Sequence, residues 1–303
     1  MPGRPAAAML SGMRRIFLAR AARPGVLLGA LVGALVGALA SLAGCGRGAP
    51  PSGGGDLVAR STVQQVVERG ELVVLMEAQF KPFTYKEDGT LKGFDVDLAR
   101  ALAEELSVKV RFEERAWGML ATELLQGNGD LVISGLTATP KRALTAAFSE
   151  PYFLTRTIAL VGVPGGDAVR AVNDLDAPGR KIVAQGQSTG EVAARKHLPR
   201  AELLTFPTEA ACVLEVVQGR ADAFVYDEWQ IREHARLNPG RTRVLDETLS
   251  VEPYGIEFRR GDPETAAWLN LTLRTMRLDG RLAALFRKHL PGIAVPAELA
   301  PPR

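Results

Sequence analysis

The chain has 303 residues, 47% of them hydrophobic, and a formal net charge of +3. That length holds one large domain or two ordinary ones, with apolar residues enough for a core. The positive charge is local: the first 44 residues carry five of the 37 basic residues and none of the 34 acidic ones. The remainder is slightly acidic and offers no basic surface for nucleic acid.

Arg14, Arg15, Arg20 and Arg23 precede an uncharged apolar run at Val26–Ala43, the layout of an export signal. Leu42-Ala43-Gly44-Cys45 closes the run and resembles the lipobox of bacterial lipoproteins. That resemblance implies a signal peptide over residues 1–44, cleavage before Cys45, and a lipidated cysteine with a flexible tether over 45–62. The Gly-, Pro- and Ser-rich stretch Gly46–Asp56 supplies the slack. An uncleaved membrane anchor competes, because Gly29, Gly33 and Gly37 are spaced like a helix-packing face. Both readings put the rest of the chain outside the cytoplasm.

Next comes an alternation of strand and helix. Glu71–Met76 reads as a strand, Asp95–Leu106 as a helix with Leu98, Leu102 and Leu106 on one face, and Lys109–Glu113 as a strand. Gly118–Gln126 reads as a helix ended by Gly127, before a strand at Leu131–Ser134. The order βαβαβ predicts a parallel sheet covered by helices. A second round follows: strand Arg180–Gln185, helix Gly190–His197, strand Ala201–Phe206, helix Glu209–Gln218, strand Ala221–Tyr226. Leu124–Ser134 and Val216–Tyr226 share one plan of helix, Gln-Gly, two residues, Asp and strand, which suggests two lobes of similar build. Helices at Pro263–Leu278 and Gly280–His289 are expected to return to the first lobe.

Cys212 sits in an apolar helical pattern and reads as a small buried hydrophobe. His197, His234 and His289 lack metal-ligand spacing and read as surface residues, so neither metal nor cofactor is expected.

In open α/β sheets ligands collect at the carboxyl ends of the strands. Those ends carry Glu77 with Phe80 and Phe83, Ser134–Thr137 leading to Arg142, Gln187–Thr189, and Asp227. Thr139-Pro140 reads as an N-cap with proline at the first helical position. Arg142 would then lie in the first turn, where free backbone N–H groups and a planar guanidinium together suit a carboxylate. Arg142 from one half and Asp227 from the other would hold an α-amino acid as a zwitterion. Arg142 reads equally as a surface cation, Phe80 and Trp117 as core aromatics, and Ser188 with Glu191 as a capping box. Asp95 and Asp97 open a helix and read as structural.

Gly93–Ala103 (GFDVDLARALA) resembles the signature of the family 3 extracellular solute-binding proteins, the receptors of polar amino-acid ABC importers. Further likenesses are Lys81-Pro82-Phe83, Thr137–Arg142, Phe148–Tyr152, Gly219–Asp227 and Pro253–Ile256, so the resemblance runs from about Val63 to Leu290. It implies the bilobal type II periplasmic binding protein fold, with two α/β lobes joined by crossover strands near Ile158–Val163 and Leu249–Tyr254. Lobe 1 would take 63–160 and 254–295, lobe 2 would take 161–253, and 296–303 would be a tail. By position, Arg142 would grip the α-carboxylate, aided by Thr137 and the backbone around Gly135 next to Ser134, and Asp227 would take the α-ammonium. Ser188 and Thr189 would close from lobe 2, Phe80 and Trp117 would sandwich the side chain, and Glu77 would meet its tip. Gln187 stands where many relatives have glycine, and Glu77 where receptors of cationic and amide amino acids often have Asp. The implied protein is a monomeric, lipid-anchored receptor that hands a polar or cationic amino acid to a membrane permease. A ligand-sensing lobe of a signalling system and a cyclohexadienyl dehydratase-like enzyme on the same fold are the alternatives.

Overall fold

A computed structural model describes residues 61–163 and 168–301. The expected signal peptide, Cys45 and the tether fall outside these residues. Helix α1 (Thr62–Arg69) ends at Gly70 in a left-handed turn, and strand β1 (Glu71–Met76) follows. A small hairpin sheet, β2 (Gln79–Phe80), β3 (Thr84–Glu87) and β4 (Thr90–Lys92), leads to α2 (Phe94–Glu105) and β5 (Lys109–Glu114). The helix expected from Gly118 is a 3-10 turn at Trp117–Met119 running into α3 (Leu120–Leu125), followed by β6 (Leu131–Val132). Strands β7 (Ala147–Phe148) and β13 (Glu257–Phe258) complete a five-stranded sheet of order β5-β1-β6-β13-β7. Its β5-β1-β6 part is parallel as expected, and β13 runs antiparallel to β6 and β7 because it enters from the second lobe.

The second sheet has the order β10-β9-β11-β8-β12. Its strands are β8 (Phe153–Gly162), β9 (Lys181–Gln185), β10 (Glu202–Phe206), β11 (Ala223–Asp227) and β12 (Thr242–Tyr254). Around them lie α4 (Thr189–His197), α5 (Glu209–Val217) and α6 (Glu228–Leu237). Then α7 (Pro263–Leu278) and α8 (Arg281–His289) return to pack beside α1 and α2. Pro263 fits the first helical position of α7, and the Asp262 carboxylate caps it by accepting from the Thr265 N–H.

The first crossover comes earlier than expected. β8 pairs within the second sheet from Phe153 onward, so the chain crosses between lobes along Phe153–Thr157, ahead of the expected Ile158–Val163. The apolar part of β8 is buried where Thr157–Val161 pairs with β11, and β12 pairs with it on the other side, which fixes its membership. Phe153–Thr157 pairs with Ser250–Tyr254, and this two-stranded ribbon joins the lobes.

The repeated turns have one physical cause. Asp130 accepts a hydrogen bond from the Val73 N–H at 2.8 Å, and Asp222 accepts one from the Lys181 N–H at 2.7 Å. Each aspartate ties its turn to the neighbouring parallel strand, β1 or β9, and pairs with an arginine, Arg69 or Arg180.

Candidate functional site

Phe80, Trp117, Gly135 and Thr137 of the first lobe face Ser188, Thr189, Tyr226 and Asp227 of the second across one cavity. Its volume is about 10 Å³, room for one water molecule at most, so an amino acid enters only if the lobes part. A larger cavity, about 920 Å³, lies elsewhere, between the end of α7 and the C-terminal segment. Seven of the ten residues expected at the site therefore share one cavity, and Tyr226 joins them unforeseen.

The second wall follows from its strand ends. Asp227 closes β11 and precedes α6 without capping it. Its carboxylate is buried and accepts from the Thr155 hydroxyl at 3.1 Å. The Tyr254 phenol lies beside the same carboxylate and opposes the rise in its pKa, without a well-formed hydrogen bond. Burial drives the pKa of Asp227 well above the carboxylate range, and neighbouring Glu252 and Glu209 add to the rise. Among the described residues no cation pairs with Asp227. Ser188 is the N-cap of α4, accepting from the Glu191 N–H and donating to the Gln185 carbonyl. The expected capping box is shifted by one residue, because the Glu191 carboxylate accepts from the N–H of Gln187 and not of Ser188. Gln187 itself adopts a left-handed backbone, φ 64°, where glycine is at ease.

The first wall is pinned from behind by Asp95. Its buried carboxylate accepts from the Gly135 N–H at 2.6 Å and from the Tyr152 hydroxyl at 2.9 Å, while burial pushes its pKa up to about 7. The structural reading of Asp95 holds, and its effect is to fix the cavity floor. Gly135 has φ 55°, and a Cβ there would sit 2.2 Å from the Phe80 ring. Phe80 is 5% exposed and packed on Phe83, Tyr226 and Tyr254, so it is core and cavity wall at once.

Arg142 is not in the first turn of a full helix. The Thr139 hydroxyl does accept from the Arg142 N–H at 3.2 Å, but the helix is a single 3-10 turn, Arg142–Leu144, cut short by β7. The side chain crosses the cleft mouth, donating to the Thr137 carbonyl at 2.9 Å and to the Gln187 carbonyl of the other lobe at 3.1 Å. Its guanidinium carbon lies 5.3 Å from the centre of the Trp117 ring. Arg142 lines an adjoining cavity of about 90 Å³ with Trp117, Gln187 and Glu257, so Trp117 stands between it and the Asp227 cavity. Burial lowers its pKa, and Glu257 and Glu252 oppose that effect.

Besides Arg142, two expected residues do not line the main cavity. Ser134 is buried and its hydroxyl accepts from the Glu77 N–H at 3.0 Å, which fixes the end of β1. Glu77 lies half-buried behind the wall, where burial and then the nearby Glu209 carboxylate push its pKa up to about 7, with Gln185 hydrogen-bonding it. Glu209 pairs with His234, and burial raises its pKa. Sequence reading missed Glu209, Glu252 and Glu257 because acids normally face water. It also misplaced two histidines: His234 is tucked against Glu209, and His289 is largely buried against Asp97. Among the described residues no helix is long and apolar enough to cross a membrane, and no cluster of His, Cys, Asp and Glu could hold a metal ion.

Residues 72–292 match the family model of the bacterial extracellular solute-binding proteins, family 3. The chain belongs to that family. It is 32% identical over 221 residues to a "Probable histidine-binding protein" of Neisseria gonorrhoeae, covering 71% of this chain and 81% of the relative. A cyclohexadienyl dehydratase of Pseudomonas aeruginosa is 29% identical over 180 residues, covering 59% and 67%. The crystal structure of an ancestral amino acid-binding protein described as a precursor of cyclohexadienyl dehydratase superposes with a TM-score of 0.70. That protein is 38% identical and covers 76% of this chain and 99% of its own. The two sheets and their joining ribbon are thus the bilobal α/β architecture of the family.

Proposed function

We propose that this protein is the extracytoplasmic substrate-binding component of an amino-acid ABC importer, anchored by lipid at Cys45, taking a polar or cationic L-amino acid by hinge closure. The observation that carries this reading is the buried Asp227 carboxylate, without a cationic partner, on a cavity shared by both lobes. A buried anion calls for a cation, and an α-ammonium supplies one. The α-carboxylate goes to Arg142, with the Thr137 hydroxyl and the backbone at Gly135 beside it. Reaching it requires the guanidinium to leave the Thr137 and Gln187 carbonyls. Phe80 and Trp117 hold the side chain, Ser188 and Thr189 cover it, and Glu77 with Glu209 receives its polar tip. Two acids converging there favour a basic side chain.

Binding begins in the parted form and ends in the joined one, because only the joined form brings contacts from both walls. Gln230, which donates to the Lys81 carbonyl at 2.7 Å, and Arg142 on Gln187 are among the polar contacts that fasten the lobes. A thermal-shift screen of the purified protein against the common amino acids tests the reading. A binder at 100 times its Kd adds about 2.7 kcal/mol. Loss of that shift in Arg142→Ala and Asp227→Ala locates the site, and no shift with any amino acid refutes the proposal. The dehydratase likeness carries a second reading, catalysis, which turnover of prephenate or arogenate would establish.

A further inference from the structure

Glu257 is a buried acid that the roles above leave unused. It sits on β13, 2% exposed, and its Oε2 meets no hydrogen-bond donor. It lines the 90 Å³ cavity together with Arg142, Trp117, Leu136, Thr145 and Gln187. Across the sheet β13 faces Val132 of β6 and Phe148 of β7, both uncharged. Arg142 is the one charged group among the cavity-lining residues besides Glu257. The two are not within ion-pair distance: the guanidinium is spent on the Thr137 and Gln187 carbonyls. A cavity of about 90 Å³ admits water, so a proton can reach the carboxyl group.

We propose that Glu257 is a positioning residue that couples carboxylate binding at Arg142 to uptake of one proton. The inference rests on the amino-acid reading above. Ionised, Glu257 is an anion whose nearest compensation is Arg142, and it competes with any incoming carboxylate for that one cation. Two carboxylates beside one guanidinium in a desolvated site are unfavourable, and protonating the buried one removes the conflict. The proton comes from solvent and ends on the Glu257 carboxyl group as the ligand carboxylate settles on Arg142. Burial already holds the group at about 7, with Arg142 as the opposing influence, so the conversion falls within the physiological range. Glu252 also lies in the field of Arg142, but the hydroxyls of Thr157 and Ser250 hydrogen-bond it on the joining ribbon.

Isothermal titration of the purified protein with L-arginine, from pH 6 to 8.5 in buffers of different ionisation enthalpy, tests this. At pH 8 the wild type should take up close to one proton more than Glu257→Gln. A group titrating near 7 in the free protein and held protonated in the complex weakens affinity about fivefold from pH 7 to 8, relative to the variant. Glu257→Asp should restore the uptake, which a merely structural role would not require. Glu77 titrates in all three proteins and cancels in the comparison. Equal proton uptake in wild type and Glu257→Gln overturns the inference. So does a 100-fold loss of affinity in Glu257→Gln at every pH, which would make Glu257 a direct contact of the ligand cation. If L-arginine, L-histidine and L-glutamine all give no heat, the amino-acid reading fails and this falls with it.

Discussion

Asp227→Asn should move stability and affinity in opposite directions. In the protein alone the carboxylate is buried with one well-aligned neutral donor, the Thr155 hydroxyl, and no cation. Its pKa is raised above the ordinary value, so the folded state holds the proton more tightly than the unfolded one. Stability from this group is therefore present at low pH and lost as pH rises from the unfolded value towards the folded one, which leaves a penalty at neutral pH. Asparagine keeps the shape, still accepts from Thr155, and removes the charge. An unpaired buried polar group costs about 1–3 kcal/mol, so the variant should be equal to the wild type or up to about 2 kcal/mol more stable at pH 7. The gain should vanish at pH 4. For the ligand the sign reverses, because an ammonium loses its charged partner. Breaking a buried pair from one side costs about 3–5 kcal/mol, a fall of at least a hundredfold in affinity. Chemical denaturation at pH 4 and 7, with titration of the best-binding amino acid, reads both quantities. A variant that binds within threefold of wild type, or that unfolds several degrees earlier at pH 7, refutes the account of Asp227.

Gly135→Ala should destabilise the protein by roughly 2–4 kcal/mol: the left-handed backbone costs about 1, and the remainder is a Cβ driven into the confined Phe80 ring. Thermal unfolding reads it, and an unchanged midpoint would show that the ring can yield. Glu77, held near 7, must ionise to meet a basic side-chain tip. The affinity ratio of wild type to Glu77→Gln for L-arginine should thus rise up to about tenfold from pH 6 to 8, and a flat ratio removes Glu77 from the tip. Asp130→Ala and Asp222→Ala each free a strand N–H, and each should cost about 1–3 kcal/mol in denaturant unfolding.

The alternation of strands and helices was legible because each element carries its own period. The helix expected at Pro263–Leu278 has those bounds, and that at Asp95–Leu106 begins and ends one residue earlier. The Gln-Gly-x-x-Asp repeat was legible because a turn that lashes itself to a neighbouring strand needs a left-handed glycine and an acid at one spacing. The hairpin over Gln79–Lys92 was not, since strands of two to four residues hold no readable alternation. The helix around His234 was legible only without bounds, because EWQIREHARL of α6 is charged on most of its surface and buries only Gln230 and Ile231. The turn at Arg142 was over-extended: the local cap signal is real, but β13 recruits Ala147 and Phe148 into a strand before a second turn can form. At the site, the strand-end rule found both walls, while the acids behind them had no local signal of burial.

Those acids bear on how the clamp works. Joining the lobes brings Glu77 of the first towards Glu209 of the second, with Asp227 and Glu252 close by; Glu209 raises the pKa of both Glu77 and Asp227, and Glu252 adds to that of Asp227. Among the described residues Arg142 is the arginine these walls present to the carboxyl groups, and it holds backbone carbonyls across the mouth. Closure over water alone therefore compresses like charges into a low dielectric, whereas closure over a dipolar molecule with a basic tip places positive charge between them. A ligand can shift the parted–joined equilibrium only by its differential contacts with the two forms. Here that difference comes from acids on opposite lobes that repel until something cationic separates them, so the charge of the ligand is itself part of the closing force.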